Sequence, residues 1–206
     1  MYIQITNRCN MKCAHCCFSC TSKGKDMSIN IFKQALQLEE GFLDIGGGEP
    51  TIHPKFWEII GLSLNYFNSN SLWLATNGKK TETALRLAEL AHNGIMSVDL
   101  SCDEWHEKID ERVISAFKKR YKYKDLRGIR KIKLIKSGRC SWGEEDICVC
   151  PSLFINPYGR VYLCACKDAE FIGNVTDKNI KKKVEKYREL GLIGKCSCSK
   201  CTMRSK

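Results

Sequence analysis

The chain has 206 residues, 43% of them hydrophobic, and a formal net charge of +11. That length suits one ordinary domain with a small appendage, and the apolar content supports a buried core, which excludes a wholly disordered chain. No apolar run is long enough to span a bilayer, and the N-terminus lacks the basic and apolar segments of a secretory signal, so a cytoplasmic location is expected.

In chain order, Tyr2–Thr6 reads as a strand running into a cysteine-rich loop. Ser28 is placed to cap a helix over 28–39, with Ile29, Phe32, Leu36 and Leu38 supplying its apolar face. A short strand over 42–45 runs into Gly46-Gly47-Gly48. A helix is expected over 55–66, a strand over 71–75, a helix over 81–93 and a strand over 95–100. A helix over 107–120 and a strand over 129–135 complete the alternation. Strands alternating with helices predict a parallel sheet of βα units, with ligands at the strands' C-terminal edge.

The notable polar residues gather at that edge. The cysteine loop follows the first strand, the glycines the second, and Thr76-Asn77-Gly78 the third. Ser101 and Asp103 follow the fourth. Beyond residue 138 the texture changes to short β-like runs over 153–156 and 160–163 around Pro157-Tyr158-Gly159, which predict a hairpin. A lysine-rich helix over 178–190 follows. The expected domains are a core of residues 1–138 and a docked, cysteine-rich extension of residues 139–206.

There are 14 cysteines, five from Cys9 to Cys20, eight from Cys140 onward, and Cys102 between them. In a reducing compartment such clusters read as metal ligands rather than disulfides, and here as two metal regions. Cys9, Cys13 and Cys16 have CxxxCxxC spacing. Three thiolates can hold three irons of a 4Fe–4S cluster and leave the fourth open, whereas structural zinc usually takes four protein ligands. Cys13, Cys16, Cys17 and Cys20 keep a zinc alternative open. Basic residues concentrate in 118–136 and 178–186. They suit a solvated face, or a surface for nucleic acid, acidic peptides or anionic small molecules.

The triad after the first strand resembles the signature of the radical S-adenosylmethionine (SAM) superfamily, with His15 where relatives usually carry an aromatic residue. Gly46-Gly47-Gly48-Glu49-Pro50-Thr51 is similar to the family's GGEP loop, which meets the amino group of the SAM methionine. The resemblance thus implies SAM contacts from His15, Gly47, Gly48 and Glu49. It extends to Thr76 and Asn77 in a TNG segment, and to Ser101 and Asp103 near the ribose or substrate. His106 is expected at the surface or in a cap, and His53 in a structural place at a helix start.

The segment from Cys148 through Gly159 to Cys164 resembles the opening of SPASM and twitch extensions, and Gly173-Asn174-Val175 resembles a step that follows it. The full SPASM continuation is absent, which favours one auxiliary 4Fe–4S cluster. The preferred ligands are Cys148, Cys164, Cys198 and Cys201. Each Cys-x-Cys pair (148/150, 164/166, 196/198) leaves its choice open, and a zinc ribbon is the alternative for this tail. Cys102 and Cys140 read as buried structural residues or as hydrogen-atom donors.

Together the resemblance implies an α/β fold, an abbreviated open partial (βα) barrel. It implies an oxidoreductase or modifying enzyme that reductively cleaves SAM to a 5′-deoxyadenosyl radical, served by an electron donor such as flavodoxin or ferredoxin. The first expected substrate is a peptide or protein side chain. A nucleotide, nucleic acid or other small molecule is the alternative, and a non-catalytic zinc or iron–sulfur module is the reading from a different class.

Overall fold

The computed structural model describes residues 1–38, 41–118, 125–130, 134, 136–143, 152–166 and 169–193. β1 (Tyr2–Thr6), β2 (Leu43–Gly47), β3 (Leu72–Thr76), β4 (Ser97–Ser101) and β5 (Arg127–Arg130) pair in parallel, each with the next. The crossovers carry α1 (Ile29–Leu36), α2 (Phe56–Leu64), α3 (Thr81–His92) and α4 (Glu111–Phe117). Ile3, Ile5, Leu43, Ile45, Leu72, Leu74, Val98 and Leu100 are fully buried beneath helix residues such as Phe32, Ile59, Leu87 and Phe117. Parallel strands covered in this way read as apolar runs, which is why the sequence pattern located them.

The helix starts have local causes. Ser28 Oγ accepts from the amide of Ile31 at 3.2 Å, as an N-cap does. α4 begins at Glu111 instead of residue 107, because Asp110 takes the cap and accepts from the amide of Arg112 at 2.9 Å. The expected strand over 129–135 begins two residues earlier, at Arg127. The ends of the expected helices over 28–39 and 107–120, and much of 131–135, fall outside the described residues.

The hairpin expected after residue 152 is present as β6 (Phe154–Ile155) and β7 (Arg160–Tyr162), and a third strand, β8 (Phe171–Asn174), was not anticipated. β6 joins β1 in parallel, with Tyr2 opposite Phe154. One open sheet of eight strands results, in the order β5-β4-β3-β2-β1-β6-β7-β8. The junction is aromatic: the rings of Tyr2, Phe18 and Phe154 stack at centroid distances of 5.7 to 6.3 Å. α5 (Ile180–Glu189) packs on β8 and buries Ile180 and Val184. The β1 exit therefore sits at the middle of the sheet, flanked by the β2 and β6 sides.

Candidate active site

The cysteine loop leaves β1 and returns to it. Its base is closed where the amide of Cys9 donates to the carbonyl of Thr21 at 2.7 Å and that of Met27 to Ile5 at 2.8 Å. The Arg8–Asp26 ion pair at 2.7 Å and the Thr6 hydroxyl donating to Asp26 at 2.7 Å reinforce it. Inside the loop, sulfurs accept hydrogen bonds: Met11 N to Cys9 Sγ and Cys20 N to Cys16 Sγ, both at 3.4 Å. Asn77 Nδ2 lies 3.8 Å from Cys9 Sγ and donates to Asn10 Oδ1 at 2.9 Å.

The β2 exit lies directly against this loop. Gly48 N donates to Thr6 O at 2.8 Å, and Glu49 N to Arg8 O at 2.9 Å. A Cβ on Gly47 would lie 2.6 Å from Thr6 O, and one on Gly48 only 2.2 Å from Arg8 O. These glycines serve close backbone approach within the chain itself.

Glu49 is 1% exposed and its carboxylate is fully engaged. Oε1 accepts from Thr51 N (3.1 Å), Thr51 Oγ1 (2.6 Å) and Thr76 Oγ1 (2.8 Å), while Oε2 accepts from Asn77 N (2.7 Å). Burial pushes its pKa up, and these four bonds oppose the shift. The side chain thus ties the β2 exit to the β3 exit.

One cavity of about 180 Å³ opens at this edge. Its wall includes Cys9, Cys13, His15, Cys16, Gly47, Gly48, Glu49, Thr76, Asn77 and Ser101. Asp103 stands behind the wall and holds His106, which lines it: Asp103 Oδ1 to His106 Nδ1 is 2.7 Å, and the two side chains are 2% and 8% exposed. His106 was expected at the surface or in a cap; the Asp-x-x-His spacing was the signal available for its inward place. Its ring meets His15 edge-on at 4.7 Å. Among the described residues, His15 Nδ1 is buried and has no hydrogen-bond partner. His53 is structural as expected, Nδ1 accepting from Lys55 N and Nε2 donating to Met27 O.

The three thiols differ electrostatically. Burial pushes Cys9 up to about 11, with the nearby Glu49 charge adding to it. Cys13 is also raised, chiefly by burial. Cys16 is lowered to about 5 because the Cys20 thiol hydrogen-bonds its sulfur, and Cys20 is raised in turn. Among the described residues, Cys13, His15 and His106 bring three ligand atoms within 4.8 Å of one another. Cys9, Cys13 and Cys16, with N–H donors to the sulfurs of Cys9 and Cys16 and a cavity that all three line, fit a three-thiolate cluster with a ligand space beside it.

Of the expected auxiliary ligands, Cys164 is buried just beyond β7, and its neighbour Cys166 is half-buried. Cys148, Cys198 and Cys201 lie outside the described residues. Cys140 is 2% exposed and Cys102 packs partly against the core; neither lines the cavity. No helix among the described residues is long and apolar enough to cross a membrane.

Against known proteins, the family described as the Radical SAM superfamily matches residues 3–138. Mycofactocin maturase MftC of Mycobacterium ulcerans is 28% identical over 123 residues, which is 55% of this chain and 31% of that protein. The tungsten-containing aldehyde ferredoxin oxidoreductase cofactor-modifying protein of Pyrococcus furiosus is 31% identical over 110 residues, 50% of this chain and 30% of its own. The chain thus spans under a third of the length of these relatives. Among solved structures, BtrN in complex with AdoMet and 2-DOIA superposes with a TM-score of 0.64 at 16% identity, covering 97% of this chain and 93% of that one. Native anSMEcpe with bound AdoMet and Cp18Cys peptide gives 0.52 at 16% identity, covering 93% and 82%. At such identities the likeness concerns the fold.

Proposed function

The chain belongs to the radical SAM superfamily, and on that premise we propose that it modifies a peptide or protein side chain through chemistry at the β1 loop. The carrying observation is the convergence of Cys9, Cys13 and Cys16 with the Gly47-Gly48 and Thr76-Asn77 exits on one cavity. Cys9, Cys13 and Cys16 would hold the 4Fe–4S cluster that the family uses, and that cluster would supply the electron for reductive cleavage of SAM, the source of the radical that abstracts hydrogen from the substrate.

The remaining work belongs to the protein. Met11 N, Cys20 N and Asn77 Nδ2 donate to the ligand sulfurs and favour their thiolate forms. Gly47 and Gly48 offer backbone to SAM from the β2 exit. Glu49, committed to four donors, shapes both exits for SAM rather than swinging toward it. Ser101, His15 and His106, the last held by Asp103, line the same cavity, toward ribose or substrate. Cys164, together with Cys148, Cys198 and Cys201, would hold one auxiliary cluster, and flavodoxin or ferredoxin would supply the electrons.

The peptide assignment draws on the maturase relatives and the peptide-bound structural neighbour. A small-molecule substrate is the second reading, favoured by the nearly end-to-end likeness to the structure holding 2-DOIA. Anaerobic reconstitution tests the proposal. About eight irons per chain are expected, about four in C164A, and reduced protein should turn SAM into 5′-deoxyadenosine. Cys13→Ala should abolish cleavage. Retained cleavage in that variant, or zinc without labile sulfide in the wild type, refutes the reading.

A further inference from the structure

The segment from Ser137 to Arg139 also grips the cysteine loop. Arg139 lies 126 residues beyond Cys13, and its Nε and Nη2 both donate to the carbonyl of Cys13, at 3.1 and 3.0 Å. Its Nη1 donates to the carbonyl of Cys20 at 2.7 Å. Its own amide donates to the carbonyl of Cys16 at 3.0 Å. Ser137 Oγ reaches the carbonyl of Cys17 at 3.4 Å. Gly138 makes this approach feasible: its φ is +59°, and a Cβ there would lie 2.3 Å from Cys17 O and 2.6 Å from Cys16 O.

We propose that Arg139 is a positioning residue for the metal centre, fixing the cysteine loop through two carbonyls and setting a permanent positive charge beside the thiolates. The inference rests on the radical SAM reading of that loop. The loop is neither helix nor sheet, yet its ligands must keep their places while the charge they enclose changes by one. A planar guanidinium spans both carbonyls at once and stays charged throughout, whereas a lysine ammonium is a single point on a flexible stem. A positive charge beside the cluster also favours its more negative, reduced form, because hydrogen bonding and net charge set such potentials.

The test uses the full chain, reconstituted anaerobically. The cluster signal that responds to SAM is followed by electron paramagnetic resonance through a redox titration, and iron loss to a chelator is timed in parallel. Arg139→Gln should give a more negative midpoint potential and roughly ten- to a hundredfold faster iron loss, the range for removal of an outer-shell partner. Arg139→Lys should hold its potential near the wild type while still losing iron faster. An unchanged potential with wild-type iron loss in R139Q overturns the proposal, even if the variant melts at a lower temperature. If R139Q does not fold, R139K decides, and wild-type iron loss in R139K overturns it. A wild-type protein without any SAM-responsive cluster would instead sink the functional reading on which the proposal stands.

Discussion

Gly48→Ala should loosen the site by forcing the β2 exit off the cysteine loop. The added Cβ would lie 2.2 Å from Arg8 O and 2.7 Å from Arg8 C, and real Cβ atoms keep at least 3.0 Å, so the two backbones must part by about 0.8 Å. That movement strains two bonds, Gly48 N to Thr6 O and Glu49 N to Arg8 O, now 2.8 and 2.9 Å. Two backbone hydrogen bonds contribute roughly 1 kcal/mol each, and overpacking costs about 1–3 kcal/mol. A loss of about 3–5 kcal/mol follows, which lowers the thermal midpoint of a chain this size by roughly 10 °C. Gly61 provides the matched control. It is an exposed glycine within α2, and a Cβ there meets nothing within 4 Å. Gly61→Ala should raise stability by about 0.5–1 kcal/mol, through helix propensity alone. Both shifts are read by circular dichroism on metal-free protein, and SAM binding is then compared after reconstitution. A Gly48→Ala variant melting within about 2 °C of the wild type and binding SAM equally well would refute the reasoning.

Asp44 is half-buried on β2, and burial raises its pKa from 3.8 to about 6, against the opposing charges of the N-terminus and Arg130. A carboxyl raised on folding stabilises the fold fully below its unfolded pKa, and that contribution is lost as pH rises through 6. Asp44→Asn should therefore be more stable than the wild type at pH 7.5, by about 1–2 kcal/mol after allowing for solvent screening, with the gain vanishing near pH 4. Equal melting of the two at pH 7.5 would count against it. In the second case Arg127 chelates the buried Asp125 carboxylate, Nε to Oδ1 at 2.9 Å and Nη2 to Oδ2 at 2.6 Å. Arg127→Met should cost about 3–5 kcal/mol in urea unfolding, since it strands a buried charge, and D125N in the same chain should recover most of that. A single variant within about 1 kcal/mol of wild type would contradict it.

The core was legible because its chemistry follows its strands. β1 to β4 are short, largely apolar strands such as Leu72–Thr76, and at or just beyond the end of each lies a residue that lines the cavity: Cys9, Gly48, Asn77 and Ser101. The departures have local reasons. The helix expected from residue 107 waits for its cap at Asp110, because Asp103 first closes a turn with the amide of Trp105 at 3.0 Å. β8 escaped notice because four residues, Phe171–Asn174, are too few to show alternation, and Gly173 interrupts them. The extension reads in sequence as a separate texture, yet β6 pairs with β1 as an interior neighbour. Two residues, Phe154 and Ile155, form that strand, and nothing in so short a run announces its partner.

In sequence the run Gly46-Gly47-Gly48 suggests room for a ligand. In the structure Gly47 and Gly48 let β2 lie against Thr6 and Arg8, so the β2 exit and the cysteine loop are one packed unit. The same logic recurs across a longer span. Gly138 admits Arg139 to the carbonyls of Cys13 and Cys20, and only the fold joins positions so far apart. Residues that carry chemistry have recognisable side chains and spacing, whereas residues that hold them act through backbone carbonyls, which every residue possesses. A sequence therefore announces the ligands of such a centre and conceals its clamp. The change in texture at residue 138 falls within the segment, Ser137 to Arg139, that takes hold of the cysteine loop.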